Sequence, residues 1–285
     1  MKTIIGIIAI SLGSLTSMAQ VNWNSNPTGA AFARQGGATP DGTFRFTTGG
    51  YEVLTIASAD KSFQPASLYY GEADMDKSKV DAMAPDNKVP TGMNCFVVRS
   101  ASGCILFDTG LPEANGGLTK ARMEALNIAA TDIQAVFLTH SHFDHIGGLL
   151  DAAGNAAYPN ADVYVSATEL EFMQNTMAQT LQQIESAYGS RLKTFAFGEL
   201  LPHNVLPIAC PGHTPGHTAY RVGDLLFAGD ILHGAKIQLI DPTICSNFDA
   251  DRSQSIATRN SIISYAIANS LTLLCSHAPL NGIVF

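Results

Sequence analysis

An α/β fold is predicted by three features of this 285-residue chain. Short apolar runs of strand length recur, and each stops at a histidine or an aspartate. Segments of helical periodicity separate them. With 46% hydrophobic residues and no low-complexity tract or internal repeat, one two-layered or four-layered α/β domain with a large core is expected.

At the start, Lys2, the apolar stretch from Ile4 to Leu12 and the small residues Ser17-Met18-Ala19 read as a cleavable signal peptide over residues 1–19. A periplasmic or secreted product beginning at Gln20 is therefore expected. The stretch is too short to span a bilayer, which takes ~20 residues, and no later segment is apolar enough to form a membrane span. Residues 20–43, rich in Asn, Gly, Ala and Pro, read as an irregular arm, leaving 44–285 as the domain.

Phe44-Arg45-Phe46 and Tyr51-Glu52-Val53-Leu54-Thr55-Ile56 read as two strands of a hairpin turned at Gly49-Gly50. A long polar and aromatic loop is expected from about Asp60 to Pro90. Strands at Asn94–Val98 and Cys104–Asp108 and a helix around Leu118–Leu126 follow. Ala135-Val136-Phe137-Leu138-Thr139 then stops at His140, and Val205 to Ala209 leads to His213. Leu225-Leu226-Phe227 precedes Asp230, and Leu271 to Leu274 precedes His277. Because loops at strand ends carry the chemistry in α/β proteins, four such termini predict one shared site.

Between these strands, Ser166-x-x-Glu169 forms a capping box. Leu170, Met173, Met177, Leu181 and Ile184 then recur at helical spacing, which predicts one amphipathic helix of about five turns. A second helix is expected to begin near Asp249-Ala250-Asp251, with Ile256, Ile263 and Ile267 on one side. Asn281 to Phe285 reads as the beginning of a further strand.

The formal charge of −8 without any run of Lys or Arg excludes a phosphate-tracking surface, so no nucleic-acid partner is expected. Five cysteines (Cys95, Cys104, Cys210, Cys245, Cys275), an odd number without a C-x-x-C pair, predict buried thiols. Export leaves one or two disulfides open.

The densest chemical signal is Thr139-His140-Ser141-His142-Phe143-Asp144-His145. Imidazole and carboxylate are the ligands zinc takes when thiolates are absent, and a tight turn after a strand aims them to opposite sides. His140 and His142 could then share one metal while Asp144 and His145 reach a second. A loop of merely solvated histidines predicts no matching ligands elsewhere, yet Cys210-Pro211-Gly212-His213-Thr214-Pro215-Gly216-His217, Gly229-Asp230 and Ser276-His277 supply them.

Taken together, H-x-H-x-D-H, P-G-H-T-x-G-H, G-D and a late histidine resemble the metallo-β-lactamase superfamily, and Phe107-Asp108-Thr109-Gly110 resembles its D-T-G turn. The resemblance implies an αββα four-layer sandwich of two mixed β-sheets flanked by helices. It implies His140, His142 and His213 on a first metal, Asp144, His145 and His277 on a second, and Asp230 bridging both. His217 would support the site without binding metal, and Asp108 would orient ligands. The implied cofactors are two divalent metal ions, zinc first, although manganese, cobalt or iron also suit these ligands. A metal-bridging hydroxide needs no serine or cysteine nucleophile, and the chain has no G-x-S-x-G elbow.

Within that superfamily the chain resembles the N-acyl-homoserine lactonases and methyl parathion hydrolase. The likeness rests on Tyr158 to Val163, His213 to Thr218, Gly229 to Leu232 and Asp241-Pro242, with Phe143 resembling the lactonase version. His233 falls where many lactonases carry a tyrosine, which implies a general acid or hydrogen-bond donor; a histidine packed at the pocket wall is the alternative. Asp144, Asp230 and His233 are thus the candidate catalytic residues. Tyr69, Tyr70, Phe143, Phe172, Phe195 and Phe197 are candidates for an apolar pocket wall or for core.

The expected substrate is a small-molecule ester, lactone or phosphotriester, opened by an N-acyl-homoserine lactonase. The alternatives are an organophosphate triester hydrolase or arylesterase, a β-lactamase or thioesterase, and a non-catalytic metal-binding protein. The β-lactamases usually lack the Asp144-type ligand. A homodimer is implied only by the habit of relatives.

Overall fold

Successive side chains of the strands point into different layers, and this builds the sandwich. A computed structural model describes residues 37–38, 43–279 and 282–285. The expected signal peptide, most of the expected arm, Leu280 and Asn281 lie outside the described residues.

The strands in chain order are β1 (Gly37–Ala38), β2 (Thr43–Thr48), β3 (Tyr51–Ala57), β4 (Phe63–Pro65), β5 (Lys88–Pro90), β6 (Asn94–Ser100), β7 (Gly103–Phe107), β8 (Ile133–Phe137), β9 (Asp162–Ser166), β10 (Leu192–Phe195), β11 (Leu206–Ala209), β12 (Thr218–Val222), β13 (Leu225–Phe227) and β14 (Thr272–Leu274). One eight-stranded sheet runs β1-β2-β3-β6-β7-β8-β9-β10, antiparallel as far as β7 and parallel from there. A second sheet runs β11-β12-β13-β14, with only its last pair parallel. Both sheets are mixed, as the sequence implied.

Alternation sorts the side chains. Leu54, Val97, Leu106, Val136 and Val163 face one way, into a cluster with Met123, Met173, Leu181 and Ile184. Those four belong to helices α2 (Thr119–Ala125), α4 (Ala167–Thr176) and α5 (Ala178–Tyr188); α1 (Lys77–Met83) precedes them, and the one-turn α3 (Phe143–Ile146) lies between α2 and α4. Val53, Phe96, Ile105, Phe107 and Phe137 face the other way and meet Tyr220, Leu225, Phe227 and Leu274 of the second sheet. Phe107 and Phe227 stack with ring centroids 4.0 Å apart, joining the sheets. On the far side, Leu226, Ala228 and Leu273 pack against Ile262, Ile263 and Ala266 of α7 (Arg252–Ala268), which follows the short α6 (Ala235–Gln238). The layers are therefore αββα. Strands covered on both faces read as continuous apolar runs, which is why they were visible in the sequence.

The β2–β3 hairpin turns at Gly49 and Gly50, both at positive φ (54° and 86°), where glycine carries no steric cost. The tail from Gly282 to Phe285 pairs antiparallel with β14 through Cys275 N–H to Gly282 O (2.8 Å), Val284 N–H to Leu273 O (2.8 Å) and Leu273 N–H to Phe285 O (3.0 Å). It covers the edge of the second sheet, in line with the expected further strand. All five cysteines are buried and unpaired. Among the described residues, no helix is long and apolar enough to cross a membrane.

Three expectations are corrected. The stretch from Asp60 to Pro90 is not a plain loop: it carries the β4–β5 ribbon, α1 and a cluster of Ala66, Tyr69, Val80 and Val89. Its few apolar residues find burial against Ile237 and Ile244, distant in sequence, so no local pattern announced them. The single five-turn helix is two, α4 and α5, broken at Met177 (φ −146°, ψ 44°). Just before the break, the Thr176 hydroxyl donates back to Phe172 O at 2.7 Å, an interaction that bends helices. Finally, α7 buries Ser255, Arg259, Ile262, Ile263 and Ala266, whereas Ile267 is 61% exposed. A buried arginine on the inward face shifted the stripe away from the apolar periodicity.

Candidate metal centre

The two sheets deliver their polar termini to one edge. His140, His142, Asp144 and His145 follow β8, His213 follows β11, Asp230 follows β13 and His277 follows β14. All seven predicted ligands converge. His140 Nε2 and His213 Nε2 lie 3.0 and 2.9 Å from His142 Nδ1, and 3.7 and 3.4 Å from Asp230 Oδ2. Bonds of ~2.0–2.1 Å to a tetrahedral ion place its ligand atoms roughly 3.3 Å apart, so these four atoms fit zinc-like coordination. A second set is Asp144, His145 and His277. There His277 Nε2 lies 3.3 Å from Asp144 Oδ2, and His145 Nε2 lies 3.8 Å from Asp144 Oδ1.

Asp230 joins the two sets. Its Oδ2 faces His140 and His213, and also His277 at 3.2 Å, while its Oδ1 is 3.3 Å from His145 Nε2. Neither Asp230 Oδ1 nor His145 Nε2 has a hydrogen-bond partner, although both are buried. Orphaned buried polar atoms are costly unless something satisfies them, and a cation between the two would.

Local structure aims the ligands. Thr139 N–H and its hydroxyl donate to the two oxygens of Asp108 at 2.8 Å each, closing the turn that leaves β8. Helix α3 then turns Asp144 and His145 inward, while Phe143 stays 55% exposed. Four of the five histidines have their far nitrogen partnered: His140 Nδ1 with Thr139 Oγ1 (3.1 Å), His145 Nδ1 with Asp108 Oδ2 (2.8 Å), His213 Nδ1 with Asp249 Oδ1 (2.9 Å) and His277 Nδ1 with Gly92 O (2.9 Å). Each such bond leaves Nε2 for the centre. Gly229, at φ +49°, lies so close to His217 Nε2 and Thr139 Oγ1 that a Cβ would sit 2.7 Å from both. That fit lets the Asp230 N–H donate to His217 Nε2 at 3.0 Å, so His217 supports the site from behind.

The electrostatics favour a cation. Burial pushes His142 down to about 4 and His217 down to about 3, and it also holds His140 and His233 well below the usual range. Burial opposes charge on His145 and His277 too, yet the carboxylates around them, Asp230 foremost, prevail. His145 is held well above its usual value and His277 is pushed up to about 10. Asp230 stays ionised against its own burial because of the histidine charges, His145 first. Carboxylates that draw protons onto buried imidazoles mark a place where metal binding would release those protons.

His233 is 3% exposed, with Nε2 3.2 Å from Asp230 Oδ2 and its ring 4.5 Å from that of His277. Gln238 Oε1 anchors its backbone, accepting from the N–H groups of His233 and Gly234. The half-exposed Phe248 covers it at 5.6 Å. Of the proposed pocket-wall aromatics, Tyr69 is buried beside Gly234, and Phe195 packs on Tyr220 between the sheets. Phe143 borders a cavity of about 280 Å³ lined also by Ile146, Leu150, Ile184 and Pro112.

Sequence reasoning missed two carboxylates. Glu169, assigned to a capping box, is indeed capped by Ser166, but its own side chain turns away. It accepts from Ser141 N–H (2.8 Å), Ser141 Oγ (2.6 Å), Thr214 Oγ1 (2.7 Å) and Gly216 N–H (3.1 Å), tying the two ligand loops together. Asp249, assigned to a helix start, instead meets His213; the cap of α7 is Asp251, which accepts from Gln254 N–H. Only the closeness of Asp249 to the expected start of α7 marked it, and that signal fitted capping equally well.

Comparison with known proteins agrees with this geometry. Residues 90–277 match the family model described as the metallo-beta-lactamase superfamily. Over 104 residues the chain is 35% identical to a probable polyketide biosynthesis zinc-dependent hydrolase of Bacillus velezensis, a match covering 35% of this chain and 39% of that protein. The chain thus spans about two fifths of the length of that curated relative. The solved structure of AidC, described as a dizinc quorum-quenching lactonase in complex with a product, superposes with a TM-score of 0.76 at 22% identity, covering 85% of this chain and 92% of AidC. That of the hydrolase AbOPH in the beta lactamase superfamily gives 0.75 at 25% identity, covering 86% and 93%.

Proposed function

This chain belongs to the metallo-β-lactamase superfamily, and on that premise we propose that it is a metal-dependent hydrolase that opens lactone or ester bonds, with N-acyl-homoserine lactones as its substrate class. The observation that carries the reading is the convergence of seven ligating side chains, from four strand ends, on two adjoining clusters that share Asp230. His140, His142 and His213 would hold one divalent ion, Asp144, His145 and His277 the other, and Asp230 would touch both.

When bound, such a pair supplies a hydroxide nucleophile at neutral pH and polarises the substrate oxygen. The protein's own contribution is to keep seven donor side chains aimed at one place. Asp144 is the more exposed of the two acidic ligands, with 26% of its side chain accessible against 1% for Asp230, and substrate would approach from its side. His233, held neutral by burial, keeps one ring N–H to donate to the carbonyl or the leaving alkoxide. The cavity beside Phe143 is lined by Glu113, Asp151, Thr180 and Gln183 as well as by apolar side chains and by none of the seven candidate ligands, so the substrate assignment does not rest on it. What supports N-acyl-homoserine lactones as the substrate class is the likeness to AidC, described as a dizinc quorum-quenching lactonase. Zinc suits the ligand set, and we propose export through residues 1–19, which N-terminal sequencing of the mature protein would check.

The test is the initial rate on short-chain and long-chain N-acyl-homoserine lactones before and after metal stripping, with methyl parathion alongside. Lactone turnover that disappears with the metal and returns with zinc supports the reading. A chain that holds about two ions yet turns over only methyl parathion, or none of the three, sinks the lactonase assignment.

A further inference from the structure

Asp249 and Arg259 lie behind His213, outside both ligand clusters. The Asp249 side chain is 1% exposed and so is that of Arg259, a degree of burial that charged groups accept only when paired. Arg259 makes four hydrogen bonds: Nε donates to Ile231 O (2.8 Å), Nη1 to Pro242 O (2.7 Å) and Ile244 O (3.2 Å), and Nη2 to Asp249 Oδ2 (3.4 Å). Ser246 N–H also donates to Asp249 Oδ2 at 3.1 Å. That oxygen therefore faces two donors that cannot become acceptors. The other, Oδ1, is left for His213 Nδ1 at 2.9 Å. Two backbone bonds, Ala250 N–H to His213 O and Asp251 N–H to Gly212 O, hold the two segments in register.

We propose that Asp249, oriented by Arg259 and the Ser246 amide, is a positioning residue that selects the tautomer of His213, keeping the proton on Nδ1 so that the Nε2 lone pair faces the first metal. The inference rests on the metal-centre reading of the previous subsection. It has a consequence that a purely space-filling or structural role lacks. In Asp249→Asn the amide oxygen must stay toward Arg259 and Ser246 N–H, because an NH₂ group there would face two donors. The NH₂ then points at His213 Nδ1, forces that nitrogen to accept, and moves the ring proton to Nε2, where it blocks the metal. The same exchange inverts a histidine tautomer in the serine-protease triad. Asp249→Ala leaves the ring free to choose. The near-isosteric Asn variant is thus more damaging to metal binding than Ala.

The experiment is zinc titration of the full chain and both variants against a chelating competitor, with bound metal per chain counted by elemental analysis. About 100-fold weaker binding of one ion is expected for Asp249→Asn and about 10-fold for Asp249→Ala, with the other ion retained. Imidazole ¹⁵N shifts of the metal-free Asn variant at alkaline pH give a second readout that does not depend on the Ala variant folding: the His213 proton should move from Nδ1 to Nε2. An Asn variant that binds both ions as tightly as the parent, or more tightly than Ala, or that keeps the proton on Nδ1, overturns the proposal while leaving the metal centre standing. A parent chain that takes up no zinc overturns both.

Discussion

Asp108 Oδ2 accepts a hydrogen bond from His145 Nδ1 at 2.8 Å, although the two residues are 37 positions apart. Asp108 holds a left-handed backbone (φ 56°) to do so, at the point where β7 ends. Its other oxygen is taken by Thr139 N–H. An Asn at 108 would keep its oxygen there and turn its NH₂ toward His145. Asp108→Asn is therefore expected to weaken the ion held by Asp144, His145 and His277 by roughly 10–100-fold and to spare the other. Metal content after partial chelation measures this, and equal loss of both ions would contradict it.

Glu169 stabilises the site without touching any ligand side chain. Its four donors come from Ser141, between two ligand histidines, and from Thr214 and Gly216, just after His213. Replacing it with Gln puts an NH₂ against some of those donors and should lower stability by about 1–3 kcal/mol. Urea unfolding of the metal-free protein reads this directly. An unchanged midpoint would mean that the loops hold their shape without the carboxylate.

His233→Ala separates donor from ligand. As a hydrogen-bond donor to substrate, its loss should lower kcat by about 100-fold while metal content stays at that of the parent. Because His233 also groups with Asp230 and His277 as a set that could hold an ion, its Nε2 lying 3.2 Å from Asp230 Oδ2, loss of an ion in this variant would reassign it to coordination.

The pH dependence of the metal-free protein has a predictable sign. His142 and His217 are depressed to about 4 and about 3 by burial. Their stabilisation is full above the ordinary value near 6.5 and is lost as pH falls through the depressed values, since the unfolded chain binds the protons first. His277, raised to about 10, contributes below 6.5 and loses that contribution as pH rises through 10. Stability should peak near neutrality and fall on both sides, as measured by thermal melting after metal stripping. A melting temperature that climbs steadily into the alkaline range would contradict the assignment for His277.

How much of this was legible in the sequence follows from what each feature depends on. Strands buried on both faces leave unbroken apolar runs, so β8, β13 and β14 could be read directly, and each ends three residues before a residue of the candidate metal centre. The candidate ligands stood out because His140, His142, Asp144 and His145 crowd into six positions that a solvated loop has no reason to favour. What the chain packs at a distance was not. The fold of residues 60–90 depends on Ile237 and Ile244, and the inward face of α7 depends on a buried Arg259 whose partners are carbonyls and one carboxylate. Glu169 and Asp249 each carried a plausible local meaning, as capping residues. Only the tertiary structure decided that their oxygens serve ligand loops 28 to 47 positions away, because a carboxylate bonds whichever donors the fold brings to it.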